Sequence, residues 1–198
     1  MRLILILLLP LLAACAAPPP AAPPATLTGP PPAHPAALDR AILALAPGVD
    51  ADEARRAAAL ARAHPLALAR AWGADASPLV HNARVNLGLR PKGLCYHWAD
   101  EMYVRLSAER FETLDLHLAV ANADNPFRLE HSTAVVSARG APMRAGIVLD
   151  PWRRGEGRLH WAPVADDAAY DWVPRADVLA AKRARGVAVG RREVALPR

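Results

Sequence analysis

Between Leu94 and Val120 the spacing of apolar residues changes from four to two. Leu94, Trp98, Met102 and Leu106 fall at every fourth position, the interval that lines one buried stripe of a helix. Leu114, Leu116, Leu118 and Val120 then alternate with Thr113, Asp115, His117 and Ala119, which predicts a strand with one buried face and His117 on the exposed one. Residues 122–126 form a turn, and a second strand is expected over 130–136, closed by Arg139-Gly140 and Pro142. A third covers 145–150 and stops at Pro151, which has no amide to continue a ladder. Antiparallel pairing of these two strands brings His131 and Asp150 side by side. Residues 158–164 predict a further strand, 166–174 a loop, and 176–185 a terminal helix starting near Arg175.

Upstream, the pattern is helical and rich in alanine. Asp50 precedes Asp52 and Glu53 in a capping-box-like start for a helix over 51–63. Pro65 suits the first turn of a separate short helix ending near Gly73, and Ser77-Pro78 starts another that Gly88 stops. The predicted fold class is therefore α+β, with N-terminal helices and a cysteine-bearing helix packed on a small antiparallel sheet. Residues 36–198 are long enough for one domain with its own core.

The first 35 residues differ in kind. Arg2 precedes a ten-residue apolar run, 3–12, broken only by Pro10. At about 1.5 Å per residue it falls well short of a hydrocarbon core of about 30 Å, so it is the apolar region of an export signal. Leu12-Ala13-Ala14-Cys15 resembles the lipobox of bacterial lipoproteins. The resemblance implies cleavage after residues 1–14, acylation of Cys15 and, with Ala16 following, anchorage to the periplasmic face of the outer membrane. Residues 15–35, with Pro18-Pro19-Pro20 and Pro30-Pro31-Pro32, favour polyproline II and serve as a semi-rigid tether. The formal net charge of +5 falls by one when Arg2 leaves with the signal. Basic residues gather at Lys182, Arg183, Arg185, Arg191, Arg192 and Arg198, a cluster suited to anionic envelope polymers or simply the product of an arginine-rich composition. An exported chain with no nucleic-acid-binding motif is not expected to bind nucleic acid.

Once Cys15 carries lipid, Cys95 is the one thiol left. It falls in the first turn of its helix, after a turn at Pro91 and Gly93. Unpaired amides and the positive end of the helix dipole there favour the nucleophilic thiolate. An unpaired thiol in an oxidising compartment risks mispairing, which sets a nucleophile against the alternative of a small buried hydrophobe. Gly93-Leu94-Cys95 at a helix start, His131 on a following strand and Val148-Leu149-Asp150-Pro151-Trp152 closing the next resemble the core of transglutaminase-like and papain-like cysteine hydrolases. The likeness spans about residues 91–152. The aromatic that often follows the histidine in transglutaminase-like proteins is missing from Glu130-His131-Ser132-Thr133.

That resemblance implies a catalytic set of Cys95, His131 and Asp150 with no cofactor. His131 would hold the thiolate and later protonate the leaving group, while Asp150 fixes the imidazole tautomer. The Cys95 amide supplies one oxyanion donor, and Asn86 and Asn82 are candidates for the second. Substrates would be envelope proteins or peptidoglycan peptides. Three alternatives stand beside this reading: acyl transfer to an amine, a noncatalytic envelope module, and a zinc site built from the same three residues. His97, about 200° around the helix from Cys95, points away from it. His64, His81 and His160 show no partner pattern. Trp98, Trp152, Trp161 and Trp172 are expected in the core or at its rim, with Trp152 suited to walling a cleft.

Overall fold

In the computed structural model, which describes residues 35–187, five α-helices accompany an open sheet of five antiparallel strands. The helices are α1 (Pro35–Leu43), α2 (Ala51–Trp72), α3 (Pro78–Asn86), α4 (Cys95–Ser107) and α5 (Arg175–Ala184). The strands are β1 (Leu114–Ala121), β2 (His131–Ala138), β3 (Ile147–Asp150), β4 (His160–Pro163) and β5 (Val173–Pro174), in the order β4-β3-β2-β1-β5. The expected signal, Cys15 and the proline-rich tether, apart from Pro35, which opens α1, lie outside the described residues, as do Arg191, Arg192 and Arg198. Among the described residues no helix is long and apolar enough to cross a membrane.

Asp50 caps α2 as its spacing predicts, with Oδ1 accepting from the amides of Asp52 and Glu53, each at 2.9 Å. The expected break at Pro65 does not occur: α2 runs unbroken for 22 residues to a left-handed Gly73. Ala54, Ala57, Ala58, Ala61, Pro65, Ala69 and Trp72 form one buried stripe through the proline, and packing along it outweighs the hydrogen bond that Pro65 cannot donate. α1, in a stretch where no element was predicted, covers the same core with Leu38 and Ile42.

The sheet is covered on both faces. Leu38 and Ile42 of α1, the α2 alanines, and Met102 and Leu106 of α4 pack on Leu114, Ala134, Val136, Ile147 and Leu149. The opposite face, with Ala119, Ala121, Val135 and Val148, lies against Met143, Val164 and Trp172 from the chain's later loops. His117, predicted to be exposed, is therefore half-buried and bonded to Ser137 Oγ at 2.8 Å; burial pushes its pKa down. Residues 173–174, predicted as loop, pair with β1 through Ala119 and Val120. Pro174 is tolerated there because β5 is an edge strand. β3 begins two residues later than predicted, after a 3₁₀ turn over Met143–Ala145, and α5 starts at Arg175 as its pattern suggests.

Candidate active site

The turn before α4 is held from three sides. Gly93 has φ of 127°, a conformation L side chains rarely adopt, and a Cβ there would collide with the buried ring of His81. That ring donates from Nε2 to the Lys92 carbonyl at 2.9 Å, and Trp98 Nε1 donates to the Gly93 carbonyl at 2.8 Å. His97 reaches back so that its Nδ1 accepts from the amides of Gly93 and Leu94, both at 3.2 Å. His81, which has no partner pattern in the sequence, and His97, which turns away from the thiol as expected, thus brace the loop that delivers Cys95. Trp72 and Trp98, with ring centroids 4.5 Å apart, lock the same turn to the end of α2. Cys95 is the first residue of α4, half-buried, and its amide lies outside the helical ladder.

His131 opens β2 and Asp150 closes β3. The register pairs Ala134 with Leu149, so one step further sets Asp150 level with Thr133, diagonal to His131 on one face. The side chains meet, with His131 Nε2 and Asp150 Oδ2 at 2.7 Å and side chains only 2% and 1% exposed. Asp150 Oδ2 also accepts from Arg153 Nε at 3.0 Å, while Oδ1 accepts from the amides of Trp152 and Arg153, each at 3.1 Å. Burial alone would raise the Asp150 pKa, but the bonds and charges of His131 and Arg153 outweigh it and hold it below the usual carboxylate range.

Burial likewise works to lower the pKa of His131. Hydrogen bonding and charge from Asp150, reinforced by Cys95, overcome it and raise the ring to about 9. The thiol donates to the Glu130 carbonyl at 3.7 Å, and the buried Nδ1 of His131 has no fully formed hydrogen bond. The thiol thus reaches the carbonyl just before His131, with no formed hydrogen bond to the ring itself. Protonated His131 stabilises the fold in full below about pH 6.5, its ordinary value, and that contribution is lost as pH rises through about 9. Unfolding free energy is expected to drop across this window by on the order of 3 kcal/mol. Urea midpoints between pH 6 and 10 check it, and a flat profile would mean that folding does not raise the ring's pKa.

Three aromatic rings surround the imidazole: Trp152, Tyr170 and Trp172 lie 4.6, 4.8 and 5.3 Å from it, centroid to centroid. Arg153 ties this wall to the acids. It reaches Asp167 at 2.9 and 2.6 Å and His160 Nε2 at 3.0 Å, while Trp172 Nε1 donates to Asp167 at 2.9 Å. His160, level with Asp150 across β3 and β4, is the neutral acceptor of that contact, its pKa lowered by burial and then by Arg153. His64 is also pushed down by burial. Arg153, Asp167, Tyr170 and Trp172 were not found by sequence reasoning. Only the run of aromatics and acids after Trp152 hinted at them.

The sequence candidates are distributed unequally. His131 and Asp150 are bonded, the Cys95 thiol reaches the Glu130 carbonyl just before His131, and Trp152 walls the imidazole. Asn82 accepts from Trp152 Nε1 at 3.0 Å, one ring away from His131, whereas Asn86 is exposed at the end of α3. Lys182 and Arg185, from the basic tail, pair with Glu130 and Asp124. Among the described residues no three His, Cys, Asp or Glu side chains are grouped to hold a metal ion. Compared with protein-family models, curated proteins and solved structures, the chain matches none.

Proposed function

We propose that this chain is a cysteine hydrolase of transglutaminase-like or papain-like type, anchored by lipid at the periplasmic face of the outer membrane, that cleaves an amide or isopeptide bond in an envelope protein or peptidoglycan peptide. The observation that carries the reading is His131, buried with Asp150 on one ring nitrogen and Cys95 acting on the ring from the start of a helix. His131 holds the proton that Cys95 gives up, its raised pKa favouring the imidazolium, and the sulfur attacks the carbonyl carbon. The Cys95 amide, outside the helical ladder, donates to the oxyanion. Asn82 keeps its side-chain NH₂ for the second donor position, its Oδ1 being held by Trp152. Collapse of the tetrahedral adduct breaks the C–N bond, His131 protonates the departing amine, and a thioester remains on Cys95. Water, deprotonated by the same imidazole, then attacks the thioester, releasing the acid and restoring the thiol. No cofactor is required.

Treating the full chain in detergent with 4-nitrophenyl acetate should acetylate Cys95 and then release acetate. Peptide mass spectrometry reads the modified residue and its lifetime. If an added amine intercepts the acetyl group faster than water, the chain is an acyl transferase. If Cys95 is not acetylated above the rate of the denatured chain, the thiol is merely a packed side chain and the chain is a noncatalytic envelope module.

A further inference from the structure

We infer that the cleft beside His131 holds the part of the acyl-donor substrate that carries a carboxylate, and that Arg128 is the residue that recognises it; this rests on the hydrolase reading. The cleft measures about 450 Å³. Trp152 and Tyr170 each lie against the His131 ring and also line the cleft, so it shares a wall with the imidazole. Leu79 and Leu129, both largely exposed, give it an apolar side that a ligand would cover. Among the described residues two guanidinium groups line it and no carboxylate does.

The two arginines are not equivalent. Arg153 is engaged by Asp150 and Asp167, which consume its charge. Arg128 is exposed, and none of the ion pairs among the described residues includes it. The acids nearest it in the β1–β2 loop are already taken, Asp124 by Arg185 and Glu130 by Lys182, both cations coming from α5 or its end. Its fork is nonetheless oriented: Nη2 donates to the Ala169 carbonyl at 2.9 Å, and Cζ lies 5.5 Å from the Tyr170 ring centroid. An oriented guanidinium with no counter-ion among the described residues, at a mostly apolar cleft that shares Trp152 and Tyr170 with the imidazole, suits a planar carboxylate next to an apolar side chain. That carboxylate can be a peptide's free α-carboxylate or an acidic side chain.

The test uses the full chain in detergent and peptidyl vinyl sulfones in matched sets, with an apolar residue beside either a glutamate, a glutamine, a free α-carboxylate or its amide. Labelling of Cys95 is followed by mass spectrometry. At least one acidic member is expected to label about ten- to a hundredfold faster than its neutral partner. In Arg128→Gln that ratio falls to about one, and in Arg128→Lys it is intermediate. The arm that shows the preference identifies which carboxylate is recognised. Equal rates in both arms, or a preference that survives Arg128→Gln, overturn the inference. If no vinyl sulfone reacts, titration of the same peptides without the warhead, read from tryptophan emission, decides by the same Arg128-dependent ratio. Iodoacetamide labelling of Cys95 with and without His131 is run alongside; a rate indifferent to His131 defeats the hydrolase reading itself, whichever peptides are preferred.

Discussion

Asp150→Ala is expected to cost the fold about 3–5 kcal/mol and to abolish most reactivity at Cys95. The carboxylate is fully buried and answers four donors: His131 Nε2, Arg153 Nε and the amides of Trp152 and Arg153. Deleting it leaves a buried imidazole, a mostly buried guanidinium and two turn amides without their acceptor, and each unmet group retains its desolvation cost. Arg153 keeps Asp167, which places the loss within that range rather than above it. Set against the 5–15 kcal/mol by which domains are usually stable, this brings the chain close to unfolding. Urea denaturation at pH 7 measures it, and a loss below about 1 kcal/mol would show that the cluster is solvated. Asp150→Asn separates the two roles. The amide still accepts from the turn, so more stability survives, but it cannot hold an imidazolium or enforce the tautomer. Acylation of Cys95 should fall by roughly 10²-fold, less than on loss of the ring through which Asp150 acts.

His131→Ala should show the opposite balance. Asp150 keeps Arg153 Nε and both turn amides, so the carboxylate stays compensated and the fold loses less than in Asp150→Ala. The chemical effect is large: with no base for the thiol and no acid for the leaving group, acylation by 4-nitrophenyl acetate is expected to drop about 10³-fold. The vacated space lies among Trp152, Tyr170 and Trp172, an aromatic slot that free imidazole can enter. Partial rescue by added imidazole is therefore expected in His131→Ala and not in Cys95→Ala. Stopped-flow release of nitrophenolate follows both variants. Rates within tenfold of the unmodified chain would sever the link between ring and thiol.

Local patterns carried a large part of the fold. The four-residue stripe through Trp98, Met102 and Leu106 becomes the buried face of α4, and Asp50 and Gly73 cap α2. The pattern misled where a local rule met a packed surface. Pro65 has the chemistry of a helix start, yet the alanine stripe on either side binds it into one helix. The alternation in β1 suggests one wet face, but Trp172, Val164 and Met143 arrive from far along the chain to cover it.

The same division runs through the candidate site. Chain order and period were enough to put Cys95 at a helix start and His131 and Asp150 on neighbouring antiparallel strands, because backbone hydrogen bonding and side-chain alternation are set by residues close in sequence. Neither property could reveal that Asn82 would meet Trp152 across 70 positions, that Arg153 would join Asp150 to Asp167, or that Tyr170 and Trp172 would enclose the imidazole. Those contacts form only when the loops after β3 and β4 close over the sheet. Burial, which intensifies every charge and hydrogen bond at His131, is a property of that closure and of no single segment.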